Sequence, residues 1–168
     1  MANIGAFVAA DKDIIDYLKY NLRSQMFAKA LPMIQTIGSL KRLELLRNSS
    51  ELKDKLWVNV NALQNGLKEK GFNIGDTNTC VTPVYLEGSV PEAMVMVNDL
   101  RENYDIFLSI VIYPVIPKGM ILLRVIPTAS HTLEDIAETL TAFEAIREKL
   151  VNGIYKEIAS RTKVDLDA

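Results

Sequence analysis

Apolar residues recur at helical spacing through most of the first half of the chain. The exception is residues 4–10, a short apolar run interrupted by glycine that indicates a buried strand. A helix is predicted after Asp11, because apolar positions recur every three or four residues from Ile14 to Leu22. Two longer helices are predicted at about residues 33–47 and 51–70.

From residue 81 the pattern changes to short apolar runs. Strands are predicted at about residues 81–86, 106–113 and 121–126, and an amphipathic helix at about 93–103 lies between the first two. Each run has the length and flanking polar residues of a strand in a small sheet. The connection before residue 81 is rich in turn residues.

The last predicted helix begins at Thr132, with Glu134 and Asp135 in its first turn, where the helix dipole favours carboxylates. We expect it to continue past Gly153 toward Ile158. The order strand, helix, strand, strand, helix predicts an α/β sandwich with a mostly antiparallel sheet and helices on one face.

Composition places the chain among ordinary globular proteins, with 49% hydrophobic residues, 24% charged residues and a net charge of −2. Acidic and basic residues are mixed, so nucleic-acid binding is not expected. One cysteine, Cys80, and one histidine, His131, favour neither an internal disulfide nor a metal site. No run approaches the roughly 20 apolar residues of a transmembrane helix, and we expect a cytoplasmic protein.

Arg124 stands inside the apolar run Met120–Ile126. Burying an arginine there would be costly without an anion, and a guanidinium is a natural two-pronged receptor for a carboxylate. On an alternating strand, however, Arg124 would simply face solvent. The pattern alone leaves both interpretations open.

Two other side chains are candidates for chemistry. His131 lies in a turn before a helix, where Ser130 or Thr132 suits an N-cap, and without a visible partner a structural role is favoured for it. Lys29 is the one cation of the apolar segment 26–32. Its ammonium either binds an anionic group or extends into water, and the second interpretation is favoured. No phosphate-binding glycine loop or Gly-x-Ser-x-Gly motif is present, so a complete active site is not predicted.

Two separated stretches carry a more specific pattern. The run Tyr113–Ile136 joins a Pro-x-x-Pro-x-Gly segment, an arginine-bearing strand and a small-residue turn with a histidine. Residues 3–10, 14–18 and 27–32 form the second stretch. Together they resemble the C-terminal part of the α-oxoamine synthases, pyridoxal-phosphate-dependent enzymes of fold type I, with the second stretch similar to the segment that follows the family's Ser-Lys-Ser motif.

The resemblance implies a domain organisation. Residues 1–47 would be the end of the large cofactor-binding domain and the start of the connecting helices, and residues 48–168 would be a connecting helix and the small C-terminal domain. The family's cofactor lysine precedes the segment similar to residues 3–10, so it would fall just upstream of Met1. We therefore expect no catalytic residue and no bound cofactor in this chain, which would be inactive alone.

The resemblance also implies roles for single residues. Arg124 matches the arginine that holds the amino-acid carboxylate, which favours the receptor interpretation. Ala28 and Lys29 stand where many members have Ser-Thr, whose hydroxyl reaches the cofactor phosphate of the neighbouring subunit. Our hypothesis is that Lys29 binds this phosphate across a homodimer. His131 matches a recurrent turn histidine, for which we expect a structural role.

The parent reaction implied by the family is the decarboxylative condensation of glycine, alanine or serine with an acyl-CoA. Glycine C-acetyltransferase, 8-amino-7-oxononanoate synthase and serine palmitoyltransferase catalyse such reactions, and the sequence does not choose among them. Two alternatives remain open: a fragment of a class I or II aminotransferase, and a free-standing α/β interaction module without catalytic activity.

Overall fold

A computed structural model describes residues 4–162 of the chain. Its internal contacts divide the polypeptide into two compact units, Met1–Ser50 and Glu51–Ala168. The ends of the two predicted domain segments, residues 1–3 and 163–168, lie outside the described part.

The first unit is helical. It contains α1 (Lys12–Asn21), α2 (Arg23–Phe27) and α3 (Met33–Asn48), and none of the residues in these helices is buried. The strand predicted at residues 4–10 is wrong, since the segment has no regular structure. A strand is stable only with a partner, and the sheet of this chain forms without this segment.

The second unit contains both helices and strands, from α4 onward. Its elements are α4 (Ser50–Glu69), β1 (Thr82–Glu87), α5 (Val90–Tyr104), β2 (Ser109–Val111), β3 (Met120–Val125), α6 (Leu133–Val151) and α7 (Ile154–Thr162).

Local sequence sets the helix boundaries in this unit. Ser89 and Glu92 form a capping box at the start of α5, in which each side chain binds the other residue's backbone N–H. Thr132 and Asp135 form the same arrangement at the start of α6, which confirms Thr132 as the N-cap. These reciprocal hydrogen bonds satisfy N–H groups that the helix leaves without partners.

Two predicted elements are corrected by backbone conformation. β2 spans three residues and not 106–113, because Ile106 N–H donates to Leu100 O and so completes the end of α5. The last helix does not run unbroken to Ile158, because Gly153 has a φ of +72° and separates α6 from α7. Glycine reaches this left-handed region at little cost, and the helix ends there.

Among the described residues, the sheet has three antiparallel strands in the order β1-β3-β2. Alternate residues of the central strand, Ile121, Leu123 and Val125, are buried in the core. The fold confirms the predicted α/β class with an antiparallel sheet and helices. The core also receives side chains from α4, α5, α6 and α7, such as Leu63, Met96, Phe143, Ile146 and Tyr155.

Within residues 4–162, no helix combines the length and the apolar character that crossing a membrane requires.

Candidate substrate-binding site

Arg124 lies on the exposed face of the central strand. Its neighbours along β3, Leu123 and Val125, point into the core, so the guanidinium extends from the opposite face. In the strand register Arg124 pairs with Pro83 of β1 and Ser109 of β2. The solvent-facing interpretation of the sequence pattern is thus the one that this chain adopts.

Pro83 of β1, the strand partner of Arg124, does not remove a hydrogen bond between β1 and β3. Tyr85 N–H donates to Asn73 O, at 2.9 Å, on the side of β1 away from β3. Pro83, two residues earlier, directs its nitrogen to that same side, where no ladder bond is lost. Pro83 and Arg124 therefore form a non-hydrogen-bonded pair, the type in which facing side chains approach most closely.

The guanidinium of Arg124 has no ion-pair partner among residues 4–162. The fork geometry of a guanidinium matches a carboxylate. Exposed apolar side chains lie close to it in the chain or the strand register, with Ile126, just after β3, 45% exposed and Phe107, just before β2, 86% exposed. The arrangement is an unpaired cation on a partly apolar surface, which suits a carboxylate from another molecule.

The turn after β3 is held by a buried amide of α4. Asn59 is 3% exposed, and its Nδ2 donates to Thr128 O at 3.0 Å and to His131 O at 2.8 Å. The Nδ1 atom of His131 accepts a hydrogen bond from Thr128 N–H at 3.1 Å. These hydrogen bonds hold the turn between β3 and α6 against α4.

A second buried amide of α4 holds the start of β1. Gln64 is 8% exposed, and its Nε2 donates to Thr79 O and to the hydroxyl of Thr82, each at 3.0 Å. Thr82 faces Val125 in the strand register, one position from Arg124. Sequence reasoning did not single out Asn59 and Gln64, although an amide between the buried apolar positions of a helix is a usable signal.

A cleft of about 320 Å³ lies near the end of β3, and His131 is among its lining residues. Three carboxylates, Asp105, Asp135 and Glu138, also line it. The pKa of Asp135 is lowered, chiefly by the backbone N–H and then the hydroxyl of Thr132. No lysine or arginine is among the residues that line the cleft, so it disfavours an anionic ligand.

Lys29 lies in the first unit, after α2, with its side chain exposed. It is one of the residues around a largely apolar cleft of about 490 Å³ that also includes Lys19. Lys19 pairs with Asp16 at 3.2 Å, whereas Lys29 has no ion-pair partner among the described residues. Lys29 and Arg124 belong to different compact units.

The described residues contain no group of three or more histidine, cysteine, aspartate or glutamate side chains arranged to hold a metal ion. The buried polar side-chain atoms within residues 4–162 all have hydrogen-bond partners. The cations available to bind anions are therefore on the surface.

No family model matches the chain. It is 73% identical over 158 residues to a cysteate-C-fatty acyltransferase from Capnocytophaga ochracea, a match that covers 94% of this chain and 38% of that protein. It is 38% identical to an 8-amino-7-oxononanoate synthase from Petrotoga mobilis, covering 88% of this chain and 37% of the relative. The chain thus spans less than two fifths of the length of these relatives.

The fold has counterparts among solved structures. A high-resolution structure of SPT, serine palmitoyltransferase, with a pyridoxal-phosphate internal aldimine matches 86% of this chain and 36% of that one, with a TM-score of 0.70 and 27% identity. This likeness agrees with the relatives found by sequence. The chain is homologous to the C-terminal portion of the enzymes of the α-oxoamine synthase family.

Proposed function

We propose that the whole protein is a pyridoxal-phosphate-dependent acyltransferase that joins an amino acid to a fatty acyl thioester with loss of carbon dioxide. The observation that carries the proposal is the 73% identity to a cysteate-C-fatty acyltransferase over 94% of this chain. The 8-amino-7-oxononanoate synthase relative supports the same reaction class. A cytoplasmic location belongs to this proposal.

For the amino acid, the proposal is cysteate. The sequence pattern suggested glycine, alanine or serine and did not include it, because a family signature carries little information about the substrate side chain. Cysteate is proposed because the relative with 73% identity is a cysteate-C-fatty acyltransferase. The acyl donor in the proposal is a long-chain fatty acyl-CoA.

Arg124 is the proposed receptor for the carboxylate of this amino acid. Two parallel hydrogen bonds from the guanidinium would fix the plane of the carboxylate. They would thereby orient the carbon–carbon bond that breaks, which is a positioning contribution and not a proton transfer. The exposed, unpaired state of Arg124 in this chain supports the role, since no described residue competes for it.

The residues present fit the anionic groups of a pyridoxal-phosphate site. Arg124 and Lys29 are exposed cations without an ion-pair partner in the described part, and a lysine ammonium binds phosphate as a point charge. When bound, pyridoxal phosphate acts as the electron sink for the carbanion left by decarboxylation. Lys29 is proposed to bind its phosphate in the neighbouring subunit of a homodimer.

The proposed domain organisation follows the family. Residues 1–47 belong to the end of the large domain and start of the connecting helices, and residues 48–168 to a connecting helix and the small domain. The family's cofactor lysine lies before the segment similar to residues 3–10. That residues 1–168 show no acyl transfer alone and bind no cofactor is part of the proposal.

The proposal is tested by presenting the whole protein, loaded with pyridoxal phosphate, with palmitoyl-CoA and one amino acid at a time. We expect release of free CoA thiol with cysteate at a kcat/KM at least about tenfold above the values for serine, alanine and glycine. Faster release with serine would contradict the assignment of cysteate. Amino transfer to a keto acid without thiol release would contradict the acyltransferase itself.

A further inference from the structure

Two amide side chains of α4 are buried where the helix otherwise presents apolar residues. Asn59 is 3% exposed and Gln64 is 8% exposed, while Val60, Leu63 and Leu67 around them are fully buried. Burying an amide costs free energy unless its hydrogen bonds are made. Leucine at either position would fill the core without needing hydrogen-bond partners. The two amides are therefore expected to have a role other than filling the core.

The two amides bind residues at the start of β1 and in the turn after β3, close to Arg124 in the strand register. Asn59 binds two carbonyls of the turn after β3, those of Thr128 and His131. Gln64 binds the Thr79 carbonyl and the Thr82 hydroxyl at the start of β1. We call this pair of side chains the amide clamp.

The strand register places the clamp next to Arg124, toward the end of β3. Thr82 pairs with Val125 and Pro83 pairs with Arg124, so Gln64 holds β1 one residue from the partner of Arg124. Asn59 holds the chain four residues after Arg124. Through these hydrogen bonds, α4 holds both the start of β1 and the turn after β3.

We infer that Asn59 and Gln64 are positioning residues that set the location of Arg124 and thereby the affinity for the amino-acid carboxylate. The inference rests on the proposed role of Arg124. Neither amide touches substrate in this account, because both are buried on the core side of the sheet while Arg124 extends from the other face. Loss of the clamp displaces the guanidinium, whose two-pronged hydrogen bonding tolerates little misalignment.

The test compares Asn59→Asp and Gln64→Met in the whole, cofactor-loaded enzyme. Asn59→Asp keeps the shape and removes both donated hydrogens, and Gln64→Met keeps the length and removes the donor. We expect KM for the amino acid to rise at least about fivefold in each variant, with KM for the acyl-CoA unchanged. Asn59→Ser, which also lacks the amide donors, replaces Asn59→Asp if the latter does not fold.

Two controls separate positioning from a general loss of stability. Asn61→Asp makes the same chemical change at an exposed site of α4 and should leave both KM values unchanged. Tyr155→Phe weakens the core at α7, away from the clamp, and should lower the melting temperature without altering KM for the amino acid. Hydrogen exchange at residues 122–127 should accelerate in the clamp variants and not in these controls.

The outcomes distinguish the inference from the proposed function. If Arg124→Gln raises KM for the amino acid but the clamp variants behave like Tyr155→Phe, the inference is overturned and the role of Arg124 stands. If Arg124→Gln leaves that KM unchanged, the proposed role of Arg124 fails and the inference fails with it. A rise in both the amino-acid and acyl-CoA KM values in the clamp variants would also overturn the inference.

Discussion

At the scale of single residues, the sequence identified unusual side chains but did not predict their contacts or hydrogen-bond partners. It marked Arg124 as unusual because an arginine interrupts an apolar run, but whether it faced the core or the solvent depended on the register of β3. Asn59 and Gln64 passed unnoticed because their partners are 69 and 18 residues away in the chain. Such contacts are visible only once the fold is formed.

The carboxylate of Asp99, in α5, accepts three side-chain hydrogen bonds. They come from Lys149 at 2.8 Å, from Tyr155 at 2.6 Å and from Asn103 at 2.7 Å. Burial raises the pKa of Asp99, but these hydrogen bonds outweigh it and hold the pKa below the ordinary value of 3.8. Burial, followed by the contact with Asp99, raises the pKa of Tyr155.

Tyr155→Phe should lower the free energy of unfolding by about 1–2 kcal/mol, because it removes a hydrogen bond to a charged acceptor. A carboxyl with a depressed pKa stabilises the fold above its unfolded pKa, and this contribution disappears as the pH falls through the lower folded value. The variant should therefore lose less stability than the wild type as the pH falls below about 4. Urea unfolding at pH 7 and at pH 3 measures both effects, and equal acid sensitivity would contradict the role of Tyr155.

At the scale of secondary-structure elements, the sequence predicted helix starts better than strand pairing. The helix start after Thr132 follows from its capping box, which is a property of neighbouring residues, and the start predicted at about residue 33 agrees with α3. The strand predicted at residues 4–10 failed because a strand needs a partner, and periodicity carries no information about pairing. The helix break at Gly153 was missed because a glycine is tolerated in a helix as well as at its end.

Gly153→Ala should lower the free energy of unfolding by about 1 kcal/mol, because alanine in the left-handed region is strained. An added Cβ meets no atom within 4 Å, so a steric clash with another residue does not contribute. Asn152→Ala, at a φ of −75°, is the matched control and should change stability less. Thermal unfolding of both variants gives the comparison, and a Gly153→Ala variant as stable as the wild type would show that the left-handed conformation is not required.

At the scale of the whole molecule, the two units differ in how much they bury. The second unit has a continuous core, whereas the described residues of the first unit expose apolar side chains such as Phe7 at 81% and Ile34 at 77%. The sequence predicted the fold class and the family resemblance, but it left the amino-acid substrate open.

The most direct test of the account is the response of the whole enzyme to Arg124→Lys and Arg124→Gln. Lysine keeps the charge but not the two-pronged geometry, and glutamine removes the charge. We expect kcat/KM for cysteate to fall at least about tenfold with lysine and further with glutamine, while KM for palmitoyl-CoA is unchanged. Unaltered kcat/KM in both variants would contradict Arg124 as the carboxylate receptor.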